Sequence, residues 1–203
     1  MNLFVKLING VWPTLFIFTI IIVSIRITYL LYNKEKIVLY KEFLMLIFIL
    51  YILSLYYIVT YQDTNYGTNN FIPFKEIFRY KITSKLFIRN VLGNIILFVP
   101  LGIFLSYYIK LKNMFPCLIL SILISSCIEF IQAKIGRTLD VDDIILNMLG
   151  GILGYFIYKY GYKLINKLPK FIKSQIFLDI LCLVIIFIII YLAFRFDFWR
   201  FFS

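Results

Sequence analysis

Residues 91–109 read VLGNIILFVPLGIFLSYYI and carry no charged side chain across 19 positions. An α-helix rises about 1.5 Å per residue, so a helix of this length crosses most of the hydrocarbon core of a bilayer. The run is continuously apolar and does not alternate, which excludes a strand of an outer-membrane barrel. This stretch therefore predicts a membrane-spanning helix, and the rest of the chain repeats the pattern.

Five further apolar runs have a length suited to spanning a bilayer. They cover residues 11–32, 43–61, 113–131, 144–160 and 176–194. Arg26 lies inside the first run, near enough to its end for the side chain to snorkel to the interface. The predicted fold class is all-α, a polytopic transmembrane helical bundle with about six membrane-spanning helices.

The composition agrees with a chain dissolved in lipid. Of 203 residues, 63% are hydrophobic and 15% are charged, and the mean hydropathy is +0.94. An ordinary soluble domain is about a quarter charged. These values exclude disorder, collagen, coiled coils and most soluble folds. The net charge of +11 indicates loops that face anionic lipid, and no nucleic-acid partner is predicted.

The residue types present narrow the possible chemistry. The chain has no histidine, the commonest general base and metal ligand, and its three cysteines form no CxxC pair. We therefore predict no zinc site, no disulfide framework and no cofactor. A catalytic base would have to be a carboxylate.

The loops give a weak signal for orientation. Lysine and arginine together are equally numerous on the two sides of a six-span arrangement, but the connection at residues 161–175 contains lysines and no acid. Such a connection is typical of the cytoplasmic side. We accordingly expect both termini outside.

Polar side chains gather at three predicted helix ends that the span order brings to one membrane face. The start of the third span, the end of the fourth and the entry to the fifth carry Arg89, Asn90, Asn94, Glu129, Gln132, Arg137, Asp140, Asp142, Asp143 and Asn147. Asn90 and Asn94 are four residues apart and are expected to share a helix face. Arg137 is expected within salt-bridge reach of Glu129 or an aspartate, since an unpaired buried charge is costly.

Three interpretations of this constellation stay open. The polar groups can be interhelical glue, with amides and paired charges holding helices together. They can bind an anionic headgroup through Arg89 and Arg137, whose guanidinium groups bind such groups bidentately. They can be catalytic, with Glu129, Asp140, Asp142 or Asp143 as the base. We expect the ligand-binding residues to be the whole set apart from Asp142, and no metal is predicted there.

The longest connection, residues 62–90, mixes aromatic and basic residues around FIPF (71–74) and EIFRYK (76–81). This pattern suits a short interfacial helix or a re-entrant segment. An ordinary amphipathic surface loop is equally consistent with it.

Taken together, these motifs resemble those of the VanZ-like family. FIPF (71–74), RN (89–90) and GNIILFVPLG (93–102) resemble the first half of the family pattern, and EFIQ (129–132), Arg137, DVDD (140–143), Asn147 and the glycines at 150, 151 and 154 resemble the second. The resemblance covers about residues 43–160 as a core of four spans. Residues 1–42 and 161–203 are then additional segments, each with one transmembrane helix.

The resemblance implies a multi-pass protein of the bacterial cell membrane. The family's founding member is associated with low-level resistance to the glycopeptide teicoplanin, so an analogous role is expected here. In one hypothesis the protein binds an anionic or lipid-linked envelope molecule, with membrane lipid as a further partner. In the alternative it is a membrane-embedded enzyme acting on a phosphate-bearing lipid. Neither the ligand, nor catalysis, nor the oligomeric state follows from the sequence.

Overall fold

The computed structural model describes residues 3–61, 69–81 and 83–195, and nothing is concluded about the remaining residues. Of the predicted 62–90 connection, residues 62–68 and 82 thus lie outside the description. The described chain is helical. Its helices are α1 (Leu3–Tyr32), α2 (Leu39–Tyr61), α3 (Lys75–Arg79), α4 (Lys85–Phe87), α5 (Gly93–Ile109), α6 (Phe115–Lys134), α7 (Val141–Lys167) and α8 (Gln175–Arg195), and a π-helical turn over Ile88–Leu92 joins α4 to α5. The predicted all-α bundle is confirmed.

Five of the helical stretches are long and apolar enough to cross a membrane. They cover Trp12–Tyr32, Leu39–Thr60, Lys85–Ile109, Phe115–Lys134 and Val141–Lys167. The sixth predicted span coincides with α8, which is apolar over Gln175–Tyr191 but is not among these five stretches. Crossing by α8 therefore stays a prediction. Few of the large apolar side chains of these helices are fully buried, as expected for helices whose apolar faces contact lipid.

The helix ends follow from local sequence. Pro116 occupies the first turn of α6, where its missing N–H costs no hydrogen bond. Gly136 follows the end of α6 with φ 87°, the left-handed conformation that glycine adopts readily after a helix. Lys110 ends α5 in the same conformation, with φ 56°. These stops place the polar 135–140 connection directly between α6 and α7.

The chain divides into two compact units. The first contains residues 1–50 and 165–203, and the second contains residues 51–164. In the first unit, Arg26 of α1 donates to both carboxylate oxygens of Glu42 on α2, at 2.7 and 3.0 Å. Glu42 thus pairs with the charge that lies inside the first span, and the position of the Arg26 side chain at the interface stays a prediction. Asp179 of α8 accepts a hydrogen bond from the backbone N–H of Tyr40 at 2.9 Å.

The second unit is built around close packing of α7 against α5 and α6. A Cβ added to Gly150 or Gly154 of α7 would overlap the backbone carbonyl oxygen of Ile95 or Val99 on α5. A Cβ on Gly151 would overlap the hydroxyl of Ser121 on α6. Small residues at these positions thus let the helix backbones approach closely. Beside this contact, Leu55, Phe98 and Leu101 form the apolar core of the unit.

Candidate functional site

The polar side chains predicted from sequence lie in the second unit, at the N-terminal end of α7. The segment formed by residues 69–81, here called the platform, docks on this end. Asn70 N–H donates to the Leu139 carbonyl at 2.8 Å, and Val141 N–H donates to the Asn70 carbonyl at 3.1 Å. The FIPF and DVDD motifs, which are distant in sequence, are therefore neighbours in the fold.

Asp142 anchors the platform. Its carboxylate is 1% exposed and accepts backbone N–H groups from Phe74 through one oxygen, and from Glu76 and Ile77 through the other. The last two contacts measure 2.7 and 3.1 Å. Both oxygens are thus occupied by the first turn of α3, which satisfies N–H groups that lack intrahelical partners. The Asp142 carboxylate therefore positions the platform. Because both of its oxygens accept hydrogen bonds, the geometry argues against Asp142 as the general base, a role that the sequence left open.

Asp140 caps α7 and ties it to the platform. One of its oxygens, Oδ1, accepts from the N–H of Asp142 at 2.9 Å, as an N-cap side chain does, and from the Asn70 amide at 2.8 Å. Burial raises the pKa of this carboxyl. The N–H of Asp140 in turn donates to Glu129 Oε2 at 2.9 Å, which links the start of α7 to the end of α6.

Glu129, Gln132 and Arg137 form a buried hydrogen-bonded network. Glu129 is 2% exposed and Gln132 is 6% exposed. With its amide oriented to satisfy both neighbours, Gln132 donates to Glu129 Oε1 at 2.9 Å and accepts from Arg137 Nη1. Arg137 Nη1 also donates to the Val59 carbonyl at the end of α2, at 3.1 Å.

A hydrogen-bonded bridge through Gln132 replaces the expected ion pair between Arg137 and a carboxylate. Across residues 12–60, 69–81 and 83–191, the ion pairs within 4.0 Å join Arg26 to Glu42 and Arg79 to Glu76, and none involves Arg137. The prediction of a direct salt bridge is therefore wrong, because the amide of Gln132 stands between the guanidinium and Glu129. The same bridge fixes the guanidinium and leaves its Nε and Nη2 without an acceptor in the described part of the chain.

Asp143 and Asn94 link α7 to α5. The Asn94 amide donates to Asp143 Oδ1 at 2.5 Å. Together with the bond from the Asp140 N–H to Glu129, this contact joins the ends of three helices. We call Asn94, Glu129, Gln132, Arg137, Asp140 and Asp143 the inner cluster.

Asn147 lies one turn deeper than the inner cluster. Its amide donates to Ser125 Oγ on α6 at 2.9 Å, and its own Oδ1 has no hydrogen-bond partner in the described structure. The residue is 5% exposed, so it contacts neighbouring helices rather than the membrane face. Its observed contact is therefore interhelical.

Arg89 and Asn90 were predicted to join the other polar side chains, but their hydrogen bonds lie beside the platform. Arg89 is exposed, and its Nε donates to the Asn90 side chain at 3.1 Å. The Asn90 amide donates to the Tyr80 hydroxyl at 3.0 Å, while Asn94 bonds to Asp143. Arg89 and Asn90 both lie in the π-helical turn, a distortion that is frequent at functional sites. Arg89 therefore lies beside the platform and bonds to no carboxylate of the inner cluster.

Several contributors escaped the sequence analysis. Asn70, Tyr80, Ser125 and the Val59 carbonyl each bond to a predicted site residue. Three are single polar positions without a periodic pattern, and the fourth is a backbone group. Only the adjacency of Asn70 to the FIPF motif offered a signal. Among the described residues, no group of three or more Cys, Asp or Glu side chains is placed to hold a metal ion.

The membrane-length helices and the polar groups at their ends define a polytopic membrane protein. A family model described as VanZ/LLP1 matches residues 43–166, and the chain belongs to this family. The chain is 34% identical over 100 residues to Protein VanZ of Enterococcus faecium, an overlap that covers 48% of this chain. The overlap spans 61% of that relative, about three-fifths of its length. No solved structure matches this chain.

Proposed function

We propose that this protein resides in the bacterial cell membrane and lowers susceptibility to a glycopeptide antibiotic such as teicoplanin. It does so by binding an anionic or lipid-linked envelope molecule at the inner cluster. Family membership and the similarity to Protein VanZ support the general role. The binding step is argued from the geometry of Arg137.

The observation that carries the proposal is a fixed guanidinium whose Nε and Nη2 have no acceptor among the described residues. Arg137 is held through Nη1 by Gln132 and by the Val59 carbonyl, so its orientation is set before any ligand arrives. A guanidinium fork binds phosphate or carboxylate oxygens in a bidentate manner, and preorganisation lowers the entropic cost of binding. Arg137 follows the end of α6 in a connection between spans, where a headgroup can reach it.

The neighbouring carboxylates are compatible with an anionic ligand because protein donors occupy them. Glu129 accepts from the Asp140 N–H and from Gln132, and Asp143 accepts from Asn94. These contacts direct oxygens into the protein. In this proposal Arg137 contacts the ligand, and Gln132 and Glu129 fix the orientation of Arg137. Asn94, Asp140 and Asp143 hold the surrounding helix ends together.

The test compares three arginine and lysine variants in a glycopeptide-susceptible bacterial host. The wild-type chain is expected to raise the teicoplanin concentration that inhibits growth. Arg137→Gln is expected to return that concentration to the value of the empty host at unchanged membrane abundance. Arg137→Lys is expected to rescue poorly, because a single ammonium cannot reproduce the planar fork. Lys112→Gln, which removes an exposed charge between α5 and α6, is the matched control and should protect fully.

Protection by Arg137→Gln equal to that of the wild type, at equal abundance, would contradict the proposal. A parallel loss of protein and of protection in the same variant would also count against it. That result is the one expected if the network is only interhelical glue.

The second candidate is an enzyme acting on a phosphate-bearing lipid, and one observation favours it. Of the four candidate carboxylates, Asp143 is the least occupied, accepting one side-chain hydrogen bond, from Asn94. A base in that position would act beside the Arg137 guanidinium that clamps the phosphate. Lipid extracts from cells with and without the protein separate the two candidates. A changed lipid species that disappears in Asp143→Asn favours the enzyme, and an unchanged lipid profile with changed drug susceptibility favours binding.

A further inference from the structure

The platform presents apolar side chains away from the protein. Phe78 is 83% exposed, Phe71 is 65% exposed and Ile72 is 61% exposed. The rings of Phe74 and Phe78 lie 6.2 Å apart, which joins them into one patch. Such a patch on a soluble face would carry an aggregation liability, so its exposure calls for an apolar environment outside the protein.

The position of the platform along the chain indicates that the membrane is this apolar environment. The second membrane-length stretch ends at Thr60 and the third begins at Lys85, so the platform connects two spans at the membrane boundary. Aromatic side chains are enriched at this level of a bilayer. The exposed patch therefore lies where headgroups meet acyl chains.

Basic residues alternate with the apolar side chains of the platform along the sequence. Lys75, Lys81 and Lys85 are exposed, and Arg79 forms an exposed pair with Glu76 at 3.2 Å. Glu76 is the single acid between residues 69 and 89. Three lysines without a carboxylate partner in the described structure thus frame an aromatic surface, a combination that binds anionic interfaces.

Hydrogen bonds, and not an apolar core, hold the platform in place. Asp142 accepts three backbone N–H groups from it, and Asn70 pairs with the 139–141 stretch. Phe74 adopts a left-handed backbone with φ 68°, which is uncommon for a bulky residue and is sustained by its N–H bond to Asp142. Because polar bonds fix the backbone, the aromatic side chains need not turn inward.

We propose that the platform is an interfacial anchor that selects anionic phospholipid. Phe71, Ile72 and Phe78 enter the bilayer interface, and Lys75, Lys81 and Lys85 bind headgroup phosphates. This surface lies outside the inner cluster, and the inference does not depend on the function proposed above. The occupant is the surrounding bilayer itself, as distinct from a single envelope molecule at Arg137.

The experiment places a fluorescent label at position 78 of the full-length protein. Phe78→Cys is combined with Cys127→Ser, since Cys127 is exposed while Cys117 and Cys182 are buried. Cys127→Ser alone should take up no label, which verifies the site. The labelled protein is reconstituted in lipid nanodiscs that contain acyl-brominated phosphatidylglycerol or acyl-brominated phosphatidylcholine at equal mole fraction.

Brominated chains are expected to quench the label, and phosphatidylglycerol about twofold or more strongly than phosphatidylcholine at low ionic strength. The triple variant Lys75→Gln, Lys81→Gln, Lys85→Gln should remain quenched but lose the difference between the two lipids. The matched triple Lys110→Gln, Lys112→Gln, Lys163→Gln removes the same charge from other connections and should keep the difference.

Two results would overturn the inference. A label quenched by iodide in water and not by either brominated lipid would place position 78 in solvent. Equal quenching by both lipids in the wild-type background would remove the anionic preference. Arg137→Gln should leave the quenching unchanged, so failure of the proposed function and failure of this anchor are distinguishable.

Discussion

At the scale of single residues, two neighbouring aspartates have different structural roles. Asp142 uses both carboxylate oxygens, each facing backbone N–H donors of the platform. Asp140 uses one oxygen, Oδ1, for both of its donors. The sequence DVDD offers no means of telling them apart, because the difference lies in partners that are distant in the chain.

This difference predicts that the same substitution, aspartate to asparagine, lowers stability at Asp142 but not at Asp140. Asp142→Asn must turn an NH₂ group toward N–H donors, and it should lower the free energy of unfolding by about 2 kcal/mol or more. Asp140→Asn keeps an oxygen for both donors, and asparagine is a good N-cap residue, so the helix start should hold. Thermal unfolding in detergent and protease cleavage within residues 69–81 measure both effects. Equal losses in the two variants would contradict the assignment.

The raised pKa of Asp140 adds a dependence on pH. A carboxyl whose pKa is raised on folding binds more protons in the native than in the unfolded state near that pKa. The contribution of Asp140 to stability is therefore expected to fall as pH rises from its ordinary pKa through the raised value. Asp140→Asn should flatten this part of a melting-temperature profile measured against pH, whereas Asp179→Asn serves as a control in the other unit. A wild-type slope that survives in Asp140→Asn would refute the explanation.

At the scale of elements, α7 depends on its glycines for contact with two neighbours. Gly150 and Gly154 let α7 approach the backbone of α5, and Gly151 accommodates Ser121 of α6. Without much hydrophobic driving force between helices in lipid, such close van der Waals contact is what holds them together. The approach also places Asp143 on α7 within reach of Asn94 on α5.

We expect opposite effects of adding one methyl group at two positions of α7. Gly154→Ala should destabilise the protein by about 1–3 kcal/mol, because the Cβ would overlap the backbone of α5. Gly161→Ala has open space around the added atom and should be neutral or stabilising by up to about 1 kcal/mol. Thermal unfolding of both variants checks this pair. A Gly154→Ala protein as stable as Gly161→Ala would show that the packing is looser than described.

At the scale of the whole molecule, the arrangement in the membrane can be tested through span number and orientation. Six crossings place both termini on one side, and the acid-free lysine cluster around residues 163–173 favours the cytoplasmic side for that connection. We expect Ser174→Cys, in a background with Cys127 replaced by serine, to resist a membrane-impermeant thiol reagent in intact cells and to react after permeabilisation. Reporters fused to the two termini should respond on the same side.

Either of two results would revise this arrangement. Labelling of Ser174→Cys in intact cells would reverse the orientation without changing the number of spans. Reporters that place the two termini on opposite sides would give an odd number of crossings. That outcome would mean that α8, which is not among the five membrane-length stretches, does not cross.

The amino-acid sequence by itself determined the architecture of this protein and its family. Hydrophobic runs of spanning length are local, since the cost of placing backbone polar groups in lipid requires each run to satisfy its own hydrogen bonds as a helix. The spans over α1, α2, α5, α6 and α7 follow directly from this requirement. The order of the polar residues along the chain likewise predicted that the end of α6 meets the start of α7, where the Asp140 N–H donates to Glu129.

Only the tertiary structure decided which polar groups meet. Glu42 pairs with Arg26, Asp142 holds the N–H of Phe74 from 68 positions away, and Gln132 stands between Glu129 and Arg137. These contacts depend on the crossing and depth of helices, which side-chain packing sets and hydropathy does not encode. A hydrogen bond requires placement to within a few tenths of an ångström, whereas a span requires only length and apolar character.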